Sequence, residues 1–123
     1  MIKVKSIYWL DEAAKEADVV LTDGEYNVVC FSHPCELALN GLYNELIFCF
    51  DPFDIFKLNQ KEFSMEVPND NPDLYILKGE LIDATDSIIQ IGEFKIDISE
   101  GDIAQDIHKG DFVELKVHRI DTE

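Results

Sequence analysis

The sequence predicts a mostly β protein: a small single-domain barrel spanning residues 1–123, with one or two short helices. Three observations carry that expectation. Apolar and polar residues alternate with a period of two over much of the chain, as on strands with one buried face. Gly and Asp punctuate those runs at hairpin-like intervals. Helical patterning is confined to stretches of one or two turns. With 46% hydrophobic and 11% aromatic residues, the composition supplies a core, and a chain of this size buries about two thirds of its unfolded surface.

The first strand is Ile2–Leu10, followed by Asp11–Ala17, which is helical in composition but short. Val19–Thr22 and Tyr26–Phe31 flank Asp23-Gly24, a hairpin signal because type I′ turns need positive φ at both central positions. Glu45–Phe50 is the next strand. Val28–Phe31 and Leu46–Phe50 are apolar on both faces and so belong inside the sheet. Asp51-Pro52-Phe53-Asp54 reads as a short helix start, since Pro is pre-shaped for the first helical position. Asn69–Asp73 is the strongest loop signal. It separates possible halves, 1–68 and 69–123, neither with a complete core of its own.

Tyr75–Ile82 and Ile88–Ile91 follow, then Gly92 and an alternating run in which Phe94, Ile96 and Ile98 oppose Lys95, Asp97 and Ser99. Asp102-Ile103-Ala104-Gln105 has the form of a capping box. His108 and Lys109 then suit the negative end of a helix dipole, and Gly110 its stop. In Asp111–Ile120, Val113, Leu115 and Val117 share one face, and Glu114, Lys116 and His118 the other.

Val20–Val28 echoes Ile88–Ile96, and Gly41–Leu46 echoes Gly110–Leu115. The pattern suggests a pseudo-symmetric duplicated β unit. From Tyr75 onward, the order strand, glycine-kinked strand, strand, short helix, strand resembles part of an oligonucleotide/oligosaccharide-binding (OB) barrel. Such a likeness of architecture does not carry function.

Charge bears on function more directly. There are 26 Asp and Glu against 10 Lys and Arg, a formal charge of −16. The excess is spread along the chain: 8 acids against 3 bases in residues 1–50, 6 against 2 in 51–74, and 12 against 5 in 75–123. The acids therefore decorate a folded surface. Binding of single-stranded nucleic acid rests on cations that release counterions from phosphates, so the charge argues against a nucleic-acid partner despite the OB likeness. Anionic membranes are disfavoured for the same reason, and no apolar run has signal-peptide or membrane-spanning length. Three cysteines, an odd number, fit a reducing, cytoplasmic setting.

The most chemical stretch is Cys30-Phe31-Ser32-His33-Pro34-Cys35. Cys30, His33 and Cys35 could hold zinc, with Cys49 or a second His completing a tetrahedron. Alternatively, Cys35 could act as a nucleophile with His33 as its base, although nearby carboxylates raise a thiol's pKa. Against both, strand alternation turns Cys30 toward a core, where free cysteine packs as a small hydrophobe. No phosphate loop, metalloprotease motif or nucleophile elbow is present.

Aromatics cluster between Tyr43 and Phe63. Phe48 and Phe50 read as core. Phe53 and Phe56, bordered by Asp51 and Asp54, either cap one end of the barrel or form an exposed anchor with acidic flanks. Asp102 and Asp106 lie in the densest acidic stretch. The resulting expectation is a non-catalytic module with no cofactor, whose Asp51, Phe53, Asp54, Phe56, Asp102 and Asp106 engage a basic protein. An inhibitor or immunity-type protein is the sharper form. The competing class is a metal-binding or thiol-dependent enzyme centred on the Cys30-His33-Cys35 turn.

Overall fold

Period-two alternation becomes strand throughout the computed structural model, which describes residues 1–122. The strands are β1 (Lys3–Asp11), β2 (Glu16–Thr22), β3 (Asn27–Ser32), β4 (Ile47–Phe50), β5 (Phe53–Lys57), β6 (Ser64–Glu66), β7 (Tyr75–Asp83), β8 (Ile88–Ile91), β9 (Phe94–Asp97), β10 (Phe112–Val117) and β11 (Arg119–Thr122). They form one sheet in the order β1-β2-β3-β11-β4-β9-β8-β7-β10-β5, with β6 beside β7. Strands from the two sides of the Asn69–Asp73 loop alternate in that order, since β11 lies between β3 and β4, and β4 pairs with β9.

Two expectations need correction. The hydrogen-bonded path does not close into a barrel; β1 and β5 are its free ends. No helix forms among the described residues, so none is long and apolar enough to cross a membrane. At the first expected helix, Asp51 takes a left-handed φ of 49° and Phe53–Lys57 is recruited as a strand on β10. At the second, Ala104 accepts from the Ile107 N–H and His108 from that of Asp111, giving two separate turns. Gly110 and Asp111 are meanwhile drawn onto Leu81 of β7. Single-turn helices carry the full nucleation cost, and strand pairing with buried Ile107 outweighs them.

The core is a single cluster that includes Val19 and Leu21 of β2, Val28 and Cys30 of β3, Leu77 and Leu81 of β7, Ile96 of β9, and Leu115 and Val117 of β10. β4–β5 runs antiparallel to β10–β11 through a shared corner, joining the middle of the strand order to its β5 end. The pairs Thr122↔Ile47 and Arg119↔Phe50 are continued at the same offset by Lys116↔Phe53, across Asp51-Pro52 on one side and His118 on the other.

One hydrogen-bond pattern occurs twice. Between β1 and β2, Asp11 Oδ1 accepts from the Ala14 N–H and Lys15 closes the loop at φ 57°. Between β7 and β8, Asp83 Oδ1 accepts from Thr85 and Asp86, and Ser87 closes the loop at φ 58°. The chain then returns to the outer edge of each first strand. Val4 N–H donates to Gly41 and its carbonyl accepts from Asn40; Leu81 N–H donates to Asp111 and its carbonyl accepts from Gly110. In the second unit, β10 continues along β7 as a full strand. In the first, contact ends near the Lys3↔Leu42 bridge.

The hairpin turns of the two units meet at Asp23. Its Oδ1 accepts from Glu25 N–H (2.9 Å) and Tyr26 N–H (2.7 Å), and its Oδ2 accepts from Glu93 N–H (2.9 Å) in the opposite turn. Only Gly24 in this turn has positive φ, 95°, so the hairpin forms without the expected type I′ geometry. Partial burial alone would raise the Asp23 carboxyl, but backbone N–H donors, led by that of Glu93, hold it below the usual range. A β-carbon at Gly92, whose φ is 57°, would lie 2.3 Å from Asp23 Oδ2.

Candidate functional site

The β4–β5 corner gathers the exposed aromatics. Cross-strand pairing sets Phe53 opposite Lys116 and Phe56 opposite Glu114. Lys116 and Glu114 point away from the core, because Val113, Leu115 and Val117 between and beside them are buried. A regular strand would send residues 53 and 56 to opposite faces. Here β5 carries one extra residue, with Asp54 at φ 51°, and this bulge turns both rings to the outer face. Ile55 goes inward instead, against the close approach of Gly101.

Phe53 is 38% exposed and Phe56 46%, so neither caps a core. Phe53 stacks on His118 with ring centroids 5.4 Å apart. The His118 Nδ1 lies 3.1 Å from the Asp73 carbonyl, so that nitrogen carries the hydrogen. Phe50, expected in the core, is 47% exposed. Its ring is covered by Arg119, whose guanidinium lies 4.8 Å from the Phe50 centroid and 4.7 Å from that of Phe31. Arg119 also makes a two-pronged bond to Asp121, at 2.7 and 2.9 Å. That hydrogen bond outweighs the opposing effect of burial and raises the guanidinium's already high pKa. Beside this stack lies a cleft of about 360 Å³ lined by Asp18, Val29, Phe31, Asp73, Tyr75 and His118, among others.

Carboxylates ring the corner. Asp54 Oδ2 is 3.3 Å from Lys116 Nζ, and Glu100 accepts from the Asp51 N–H at 3.0 Å. The Asp51 and Asp102 carboxylates have no cation partner among the described residues. Gly101 packs on Pro52, which carries Asp102 toward the corner. A second cleft, lined by Leu81, Ala84, Ser87, Ile103, Gln105 and Ile107 among others, adjoins both Asp102 and Asp106. Asp51, Phe53, Asp54 and Phe56 thus share the corner, Asp102 lies between it and the second cleft, and Asp106 borders that cleft alone.

Sequence reasoning missed Phe31, Phe50, His118 and Arg119. Their signal lies in the cross-strand register, which pairs Arg119 with Phe50 and is invisible before the strands are matched.

The cysteine turn is built differently. Cys30 is fully buried on β3, and Cys49 on β4 is 2% exposed. Burial pushes both thiols far up, and each is raised further by neighbouring negative groups. Cys35 is buried and donates its N–H to the Lys15 carbonyl at 2.7 Å. His33 is half-exposed, 4.0 Å from Glu16, and follows on to Pro34 through a cis peptide. No three His, Cys, Asp or Glu side chains among the described residues converge to hold a metal ion.

No protein-family model, curated protein or solved structure matches this chain.

Proposed function

We propose that the chain is a non-catalytic acidic binding module that engages a protein partner with a basic face through the β4–β5 corner. One observation carries the reading: Phe50, Phe53 and Phe56 lie exposed along the β4–β5 bend of a chain whose formal charge is −16. Large exposed rings flanked by unneutralised Asp51 and Asp102 have the makeup of an interface hot spot for Arg and Lys side chains. Arg119, held between two Phe rings and a carboxylate, is an internal example of the same chemistry. The sharper form is an inhibitor or immunity-type protein that occludes a basic, nuclease-like site; small size and charge favour it. The repeated hairpin pattern supports reading the scaffold as a pseudo-symmetric duplicated β unit, and three cysteines without disulfides accord with a cytoplasmic setting.

The test is affinity capture at low and moderate salt with wild type and the F53A/F56A double variant, which has the same net charge. A basic protein should be retained at low salt, be lost as salt rises, and bind the double variant about tenfold or more weakly. Equal retention by both proteins would reduce the association to non-specific charge. Failure to retain any basic protein at low salt would also overturn the proposal.

A further inference from the structure

The opposite end of the sheet carries a second, independent surface. Strand β1 is an edge strand, and its Tyr8, Trp9 and Leu10 are 64%, 44% and 57% exposed. Its backbone is also open. The shift from Trp9↔Ala17 to Asp11↔Glu16 matches the shift from Leu81↔Ile89 to Asp83↔Ile88 in the second unit. Trp9 therefore holds the position of Leu81, whose N–H and carbonyl face away from its hairpin partner and bond Asp111 and Gly110. Ile7, two residues earlier in the same register, faces the same way. In the second unit β10 covers this edge. In the first, the returning chain bonds Ile2 and Val4 and reaches no further along the strand, and Ile7 and Trp9 have no backbone partner on that side among the described residues.

We infer that this edge pairs with β1 of a second copy of the chain, antiparallel about a two-fold axis at Tyr8. The register follows from three features. It sets Ile7 opposite Trp9 of the second copy, joining the outward-facing backbone groups as ladder bonds. Ile7 and Trp9 lie on the core side of the hairpin, opposite buried Val19 and Ala17, so the apolar faces of both copies become continuous. Finally, charge favours a second copy over another chain. Residues 1–5 hold Lys3 and Lys5 and no acid, whereas Asp11 ends the strand and Glu12 follows it. An antiparallel pair sets Lys5 against Asp11 of the other copy, twice, and Lys5 has no ion pair of its own among the described residues. Two chains of −16 repel over most of their surfaces; this strand is where opposite charges meet in register.

Trp9, the only tryptophan, reports on the contact. Sedimentation equilibrium and tryptophan emission, followed over a concentration series, should show a dimer that forms together with a blue shift. Y8K sets two lysines against each other at the axis and should weaken the dimer by about tenfold or more. Tyr8 is exposed, so the monomer keeps its fold, and an unchanged thermal transition checks this. F56K, at the other free edge, should leave the dimer as in wild type. A chain that stays monomeric throughout, a dimer insensitive to Y8K, or one broken by F56K instead would overturn the inference.

Discussion

Replacing Asp23 with Ala should destabilise the fold more than any other exposed or half-exposed acid tested the same way. The side chain accepts three backbone hydrogen bonds, two within its own turn and one from Glu93 across the molecule. Bonds to a charged acceptor are worth about 1.5–3 kcal/mol each when fully protected. Glu25 is exposed and water can replace part of its bond, so the expected loss is about 2–3 kcal/mol. At roughly 2.1 cal/mol/K of unfolding entropy per residue, that lowers Tm by about 8–12 °C. The effect has a pH signature. The Asp23 carboxyl is depressed in the folded chain, so its stabilisation is complete above the unfolded value near about 3.9 and is lost as pH falls through the folded value. Thermal unfolding followed by circular dichroism, at neutral pH and then from about pH 5 to 2, should show wild type and D23A converging in acid. D70A, in the exposed loop, serves as the control. A neutral-pH difference no larger than that of D70A, or one that persists in strong acid, would refute the role given to this carboxylate.

Gly79→Ala places a β-carbon 2.7 Å from Ile91 Cγ1 and 2.8 Å from the Gln90 carbonyl oxygen, and should cost about 1–3 kcal/mol in chemical denaturation. Leu115→Ala removes a fully buried side chain from β10 and should cost about 2–5 kcal/mol by the same measurement. F53A/F56A, altering only the outer face, should shift Tm by no more than a few degrees, so lost partner binding would report on the surface itself. Cys30 and Cys49, buried and with raised thiol pKa values, should resist iodoacetamide in the native protein and react once it is denatured, as read by intact mass.

Strands were the most legible part of the sequence, because one-sided burial imposes a period that survives in the residues themselves. Val113, Leu115 and Val117 are buried as their alternation requires. What alternation cannot encode is which strands are neighbours. The insertion of β11 between β3 and β4 follows from packing across the whole chain, and so did the loss of the closed barrel. The two expected helices failed because short local signals competed with long-range pairing: the capping-box pattern at Asp102 was overruled by the bonds of Gly110 and Asp111 to Leu81. At the corner, the short helix expected to start at Asp51 does not form, yet Phe53 and Phe56 still share a face. They share it through a bulge, which a three-residue interval also allows. Phe50 was misread because its exposure depends on the bend at Asp51, a left-handed residue with no Gly to mark it.

The position of β11 bears on how the chain reaches this structure. Residues 119–122 fill a slot whose two walls, β3 and β4, are made from residues 27–50. Ser32 and Thr122, hydrogen-bonded at 2.9 Å, are 90 residues apart in sequence. The walls precede in sequence the strand that joins them, and their ladder groups on that side pair only with it. The central ladder therefore rests on contacts of high sequence separation, which slow folding. Before β11 docks, β3 and β4 present open strand edges, the kind of edge that invites mispairing.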